Sequence, residues 1–258
     1  MSHIKESTHY YTRDGKPAYT VVGANGKERD TTLRDARKMG LLPSVTSIIK
    51  CAAAPGLELW KSRQVMLAAL TLPRNGGESD DAYFDRIMRD SKEQAKKAAE
   101  KGTEIHAAIQ AYFDEESVAG WGWAGDYVEG VCDQLDLYCS CQKWVAERSF
   151  AHPLGFGGKV DLSSDEWVID FKTKEFGKED ELKTWDEHAM QLAAYDAGLG
   201  GKHRQGAIIY VSTTNPGVAR FLEVDKKEML RGWGMFEGLL TYYKAKTGYY
   251  PEDWQEAA

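Results

Sequence analysis

The spacing of apolar positions changes along the chain and divides it into segments. Residues 8 to 30 alternate aromatic or β-branched positions with turn residues: Tyr10 and Tyr11, Asp14-Gly15, Tyr19 to Val22, then Asn25-Gly26. This predicts a β-hairpin in a small, edge-like sheet. Pro43-Ser44 leads into the apolar stretch Val45 to Ile49. Trp60 to Leu70 then keeps helical spacing until Leu72-Pro73 and Asn75-Gly76-Gly77 break it. From Asp80 to about Phe113 the positions Phe84, Ile87, Met88, Ile105, Ile109 and Tyr112 fit one or two long helices, and another is predicted from about Asp126 to Cys141.

After Gln142 the period becomes strand-like. Trp144 to Phe150, Phe156 to Leu162 and Trp167 to Lys174 predict three short strands forming an antiparallel meander. A helix from about Trp185 to Gly198, an apolar run Ala207 to Val211, a turn at Asn215-Pro216-Gly217, a strand through Phe221 to Val224 and a helix from Lys226 to about Lys246 complete the order β-β-β-α-β-β-α. With no internal repeat and no low-complexity linker, the expected architecture is one α/β domain over residues 1–258. Its N-terminal hairpin and helical part (1–142) would pack on an α/β core (143–258).

Composition narrows the class. A chain of 258 residues with 42% hydrophobic content supports a sizeable core, and 28% charged content with only 7 prolines excludes collagen-like, proline-rich and highly charged disordered classes. Lys+Arg 33 against Asp+Glu 40 leaves a net charge of -7, which argues against indiscriminate coating of nucleic acid. The start MSHIKESTHYYTRDGK lacks a signal-peptide apolar core, and no segment approaches the roughly 18 apolar residues of a membrane span. No membrane partner and a cytoplasmic location are therefore expected. Cys51, Cys132, Cys139 and Cys141 are too sparse for a disulfide scaffold, three of them fall near one predicted helix, and reduced thiols are expected.

The densest chemistry lies in Trp167-Val168-Ile169-Asp170-Phe171-Lys172. Residues two apart on a strand share a face, so Asp170 and Lys172 project together while Trp167, Ile169 and Phe171 anchor the other face. Gly158-Lys159-Val160-Asp161 ends the preceding strand, and a hairpin would bring Asp161 close to Asp170. Two carboxylates that close repel unless a cation lies between them, and hard divalent cations such as Mg²⁺ and Mn²⁺ prefer oxygen ligands. Taken singly, Asp-x-Lys is more often a surface ion pair. The weight comes from its ordered company: Gly102-x-x-x-His106 on the earlier helix, Glu147 on the first strand, Asp161, Asp170 with Lys172, then Gln191-x-x-x-Tyr195 on the following helix.

This series resembles the PD-(D/E)XK nuclease superfamily and, within it, the RecB-like exonuclease branch, over about Lys101 to Tyr195. Leu42-Pro43-Ser44-Val45-Thr46-Ser47-Ile48-Ile49 with Trp60-Lys61 is similar to the segment preceding the core in mitochondrial genome-maintenance and phage exonucleases. The resemblance implies a mixed central sheet flanked by helices, with the helical N-terminal part contributing His106. It also implies a cation, Mg²⁺ or Mn²⁺, held by His106, Asp161, Asp170 and the backbone carbonyl of Phe171, which polarises the scissile phosphate and activates a water. Lys172 would orient that water or stabilise phosphoryl charge. Gln191 and Tyr195, four apart on one helix face, would support the site or hold substrate phosphate. Glu147 would be a carboxylate behind the ligands, although an edge-strand glutamate fits its position equally well.

The activity implied is metal-dependent hydrolysis of DNA from strand ends in phage-type recombination, repair or degradation. It would run in the host cytoplasm if phage-encoded, alongside a single-strand annealing or single-strand-binding protein. A structure-specific endonuclease and a non-cleaving DNA-binding recombination subunit are the alternatives. Some RecB-like nucleases carry an iron–sulfur clasp with three cysteines after the motifs; none follows Cys141, so no iron–sulfur cluster is expected. Gly155 to Lys159 reads as a tight turn rather than a phosphate-cradling loop, since a strand and not a helix follows. For a DNA path, Lys92/Lys96 and Lys97/Lys101 form two short rows on the helix leading to His106. Lys159, Lys172, Lys174, Lys178 and Lys183 flank the carboxylates, with Lys101 and Lys174 the strongest candidates for substrate contact. Trp60, Trp121 and Trp123 could stack on unpaired bases, though core positions are the commoner fate of tryptophan.

Overall fold

The computed structural model describes residues 9–53, 55–114 and 122–253; Trp121 lies outside them. At the centre is a five-stranded sheet of β5 (Val145–His152), β6 (Phe156–Ser163), β7 (Trp167–Lys174), β8 (Gln205–Ser212) and β9 (Ala219–Val224), in that spatial order. The first three strands form the expected antiparallel meander, β7 and β8 run parallel, and β9 returns antiparallel. Parallel neighbours need a crossover, which α6 (Asp186–Gly198) supplies. Because β7 and β8 are covered on both faces, their sequences are apolar on both, as in Trp167-Val168-Ile169 and Ala207-Ile208-Ile209.

One face of the sheet is covered by α6, by α7 (Lys226–Thr247) and by the short α2 (Val45–Ile49), around Ile48, Phe156, Val168, Leu192, Ile208 and Phe236. Helix α6 is wedged between sheet and α7, with nine of its 13 residues buried. At Gly232 the α7 backbone lies so close to α6 that a Cβ would meet the Ala189 carbonyl oxygen at 2.3 Å. The other face is covered by the C-terminal part of α4 (Asp80–Phe113) and by α5 (Gly125–Tyr138), around Ile105, Ile109, Val131, Ile169 and Ile209.

The α4 segment is one helix of 34 residues, started by the Ser79 side chain, which accepts the Ala82 N–H, and by Asp80 and Asp81 in the first turn. At about 1.5 Å per residue it is about 50 Å long. Its N-terminal portion packs against α3 (Pro55–Thr71), and its C-terminal portion reaches the sheet. No helix among the described residues is long and apolar enough to cross a membrane.

Two expectations need correction. The first is the hairpin over 8–30. Thr20–Val22 (β2) and Glu28–Asp30 (β3) form a hairpin around Asn25-Gly26, and the turn at Asp14-Gly15 brings Pro17 against Tyr11, but on their other edge Tyr10–Tyr11 (β1) also pair with the distant Leu42–Pro43 (β4). Both tyrosines are almost fully buried and pack against the main body, which the pairing with β4 adds to the local turn at Asp14-Gly15. The second is the helix through Cys141. It stops at Tyr138, Cys139 caps it, and Cys141 has a φ of 64°, so the three cysteines do not share a helix.

Candidate active site

The site is made by a fork in the sheet. β6 and β7 pair only at Leu162–Ile169 and Ser163–Val168, whereas β7 stays paired with β8 along its whole length. Past Leu162 the two strands part, and the next positions in that register are Asp161 and Asp170. The Asp161 carboxylate takes over the ladder bond: its Oδ2 accepts the Phe171 backbone N–H at 2.9 Å. The carboxylates thus face one gap because the strands separate there.

β5 contributes a matching irregularity. Its register with β6 sets Glu147 opposite Asp161, and Glu147 has a φ of 52°, a left-handed conformation costing about 1–3 kcal/mol for a residue other than glycine. Across this point the strands reverse their facing: Ala146 and Leu162 lie in the α4/α5 core, while Phe150 and Val160 lie in the α6/α7 core. The Glu147 carboxylate forms an ion pair with Lys159 of β6. Burial lowers the pKa of the Lys159 ammonium, opposed by the charges of Asp161 and Asp114.

Asp170 is 2% exposed, and its Oδ1 accepts a 2.6 Å bond from Gln191 Nε2. Its buried Oδ2 accepts no hydrogen bond of good geometry, although the Lys172 ammonium lies 2.6 Å away. Burial raises the pKa of Asp170; Lys172 pulls it back and Asp161 adds to the rise. For Lys172 burial disfavours the charge, but the Asp170 and Asp161 carboxylates outweigh it and the pKa is raised. Burial and mutual attraction thus act in opposite directions on the two charges of this pair.

Gln191 is the bracket between them. Its Oε1 accepts from Lys172 Nζ at 3.1 Å, and its Nε2 also donates to the Tyr195 hydroxyl at 2.8 Å, one turn further along α6. Burial, then the charges of Asp170 and Asp161, hold the Tyr195 pKa well above its ordinary value, so the phenol stays protonated. From the other face, His106 brings Nδ1 to 3.7 Å from Asp161 Oδ2 and sets its ring edge-on to Phe171 at 6.1 Å. Gly102 makes this approach possible: a Cβ there would lie 2.5 Å from Thr173 Oγ1.

The donor set of two carboxylates and an imidazole, with a buried Asp170 oxygen lacking a hydrogen bond, fits a hard divalent cation. Among the described residues no three His, Cys, Asp or Glu side chains already close into a ligand cage. Here Lys172 occupies the neighbourhood of Asp170 Oδ2.

Seven sequence-predicted residues, His106, Glu147, Asp161, Asp170, Lys172, Gln191 and Tyr195, line this fork. Lys101 and Lys174 do not join it: Lys101 Nζ donates to the Thr213 carbonyl at 2.6 Å, tying α4 to the turn after β8, and exposed Lys174 ends β7. The lysine rows on α4 are largely balanced, Lys97 by Glu93 at 3.2 Å and Lys96 by Glu100 at 3.5 Å. Sequence reasoning missed Tyr11, which packs on Gly157 of β6, and Thr173 beneath Gly102. Both lie far along the chain from the residues they meet, and the glycines were the only local signal.

Behind the site, His188 Nδ1 accepts the Trp185 N–H at 3.1 Å. Burial, then Lys172, lower its pKa to about 4, with Asp170 opposing. The folded state thus binds this proton less readily than the unfolded chain. Its contribution to stability is complete above pH 6.5 and is lost as pH falls toward 4. Urea unfolding of the wild type and of His188→Gln should diverge over that window, the wild type losing stability more steeply; parallel curves would rule the effect out.

No family model matches the chain, and no curated protein does. Among solved structures, one described as the crystal structure of SSO0001 aligns at 19% identity over 43% of this chain and 55% of that one, with a TM-score of 0.23. The chain thus spans little more than half the length of that protein, and a likeness of this size carries no argument about the site.

Proposed function

We propose that the chain is a divalent-metal-dependent deoxyribonuclease with a PD-(D/E)XK core, working as an exonuclease on linear DNA. The observation that carries this reading is the fork between β6 and β7. It sets Asp161, Asp170 and Lys172 around one gap, with His106 and the Gln191–Tyr195 pair beside them. Asp161, Asp170, His106 and the Phe171 carbonyl would hold Mg²⁺ or Mn²⁺, which when bound supplies a Lewis acid for the scissile phosphate and lowers the pKa of a water.

The chain's own groups do the rest. Lys172 carries a positive charge to the phosphoryl oxygens as negative charge accumulates on them. Gln191 fixes the ammonium and the Asp170 carboxylate relative to each other, and protonated Tyr195 holds the Gln191 amide from behind. The net charge of -7 suits a confined groove rather than a broad basic surface.

The test is cleavage of linear and covalently closed circular DNA with Mg²⁺, Mn²⁺ and EDTA. Degradation of linear DNA alone, abolished by EDTA, is the expected result. Equal attack on circles would make the protein an endonuclease of the same core. Salt-sensitive binding without cleavage of either would make it a DNA-binding subunit.

A further inference from the structure

The fork has a neighbour that the proposed chemistry does not use. On β6, Gly157, Lys159 and Asp161 follow at two-residue steps, and strand alternation sets Gly157 and Lys159 on one face. Tyr11 lies on Gly157 so closely that a Cβ there would meet the tyrosine Cβ at 2.8 Å. The Tyr11 hydroxyl hydrogen-bonds that of Tyr19 at 2.7 Å, and the two rings meet edge to face at 5.7 Å. On Tyr19 lies His9, stacked at 4.4 Å between centroids with 26° between planes. His9 is exposed and Tyr19 half-buried, so the stack opens outward.

Charge links this stack to the fork. The Lys50 and Lys159 ammonium groups bear on His9, and the Asp161 carboxylate bears on Tyr11. Partial burial on the side facing Tyr19 and those two lysines lower the His9 pKa, with Asp30 opposing. From Gly157 to Asp161 is four strand residues, about 13 Å, with Lys159 between. Aromatic rings, an ammonium group and paired carboxylates therefore follow one another along the strand, the order of base, phosphate and scissile phosphate in a polynucleotide.

We propose that His9 and Tyr19 form a stacking platform for an unpaired nucleobase, with Lys159 engaging the phosphate between that base and the carboxylate fork. The ligand is the end of a single DNA strand. A base within a duplex has both faces covered by its neighbours, whereas an unpaired base can lie on the open face of His9, and base–aromatic stacking tolerates any sequence. The inference rests on the nuclease reading and deepens it by naming the form of strand that enters.

The experiment measures binding of a fluorescein-labelled single-stranded oligonucleotide, and of a blunt duplex of the same sequence, by anisotropy with Ca²⁺ in place of Mg²⁺. Cleavage with Mg²⁺ is followed in parallel, on full-length wild type, His9→Ala, Tyr19→Leu and Tyr19→Phe. His9→Ala and Tyr19→Leu should raise the single-strand Kd about tenfold and leave the duplex Kd unchanged. Tyr19→Phe, which keeps the ring and loses only the hydroxyl, should stay within about twofold of wild type. His9 is exposed, so His9→Ala decides the matter if Tyr19→Leu fails to fold. Unchanged single-strand binding in His9→Ala beside a wild type that cleaves DNA would overturn the platform alone. So would a Tyr19→Phe loss equal to that of Tyr19→Leu. A wild type that neither binds nor cleaves DNA would overturn the nuclease reading and the platform with it.

Discussion

Replacing Asp170 by asparagine should lower metal-dependent DNA cleavage by about 10³-fold while lowering the unfolding free energy by about 1–3 kcal/mol. The two halves of this expectation have separate causes. Asp170 is buried, burial raises the pKa of its carboxyl, and the Lys172 ammonium at 2.6 Å pulls it back. An asparagine has the same shape and can still accept the Gln191 amide bond at Oδ1. It also sheds the cost of a buried carboxylate, but its amide N–H groups then face the Lys172 ammonium, and leaving one partner of a buried pair unmatched costs about 1–3 kcal/mol. Lys172 keeps Gln191 Oε1 as an acceptor, and its side chain, 33% exposed, retains access to water.

Chemistry has no such compensation. A neutral amide is a poor ligand for a hard divalent cation, and the fork would lose one of its two carboxylates. The measurement is initial-rate digestion of linear DNA in Mg²⁺ and in Mn²⁺, with thermal unfolding of the same samples. Activity within tenfold of wild type would remove Asp170 from the proposed chemistry. A collapse of the unfolding midpoint would make the Asp170–Lys172 pair a structural element instead.

What the sequence revealed of this site, and what it withheld, follows from the range over which each signal acts. Asp170 and Lys172 are legible because alternation along Trp167 to Lys172 is a local property: two-residue spacing puts them on one face whatever the strand pairs with. Gln191 and Tyr195 are legible for the same reason on a helix. The fork itself is not. That β6 and β7 separate after Leu162–Ile169, and that the Asp161 carboxylate then replaces a backbone carbonyl on the Phe171 N–H, depends on geometry between strands. The left-handed backbone at Glu147 and the reversal of facing around it have no composition cue, since glutamate is not a residue that favours positive φ. The local hairpin of Tyr10 and Tyr11 around Asp14-Gly15 is legible, but their second partners Leu42 and Pro43 are about thirty residues away and carry no local signal. Lys101 reads as a substrate contact from its place in a lysine row, but its amine reaches a carbonyl in the turn after β8.

The remaining large effect is expected at Gly102, where helix propensity and packing predict opposite signs. Alanine is favoured over glycine inside a helix by about 1 kcal/mol, so on that ground Gly102→Ala stabilises α4. Packing says the reverse: the added Cβ would lie 2.5 Å from Thr173 Oγ1, while Thr173 Cβ and Cγ2, at 3.6 and 4.0 Å, would be ordinary neighbours. β7 is paired with β8 along its length and has little freedom to yield, so α4 must shift. Overpacking of this kind costs about 1–3 kcal/mol. The shift also moves His106, one turn further along, away from Asp161, and displacements of about 1 Å near reacting groups cost about 10²-fold in rate.

Because a single oxygen causes the conflict, Thr173→Ala should relieve it. The Gly102→Ala/Thr173→Ala double variant is expected to recover cleavage to within a few-fold of wild type, with an unfolding midpoint at or above that of wild type. The double-mutant cycle should then show a coupling free energy above about 1 kcal/mol, whereas independent sites add to within about 0.5 kcal/mol. Additive losses would mean that the α4–β7 approach does not set the position of His106, and full activity in Gly102→Ala alone would mean that the helix has room to move without consequence for the fork.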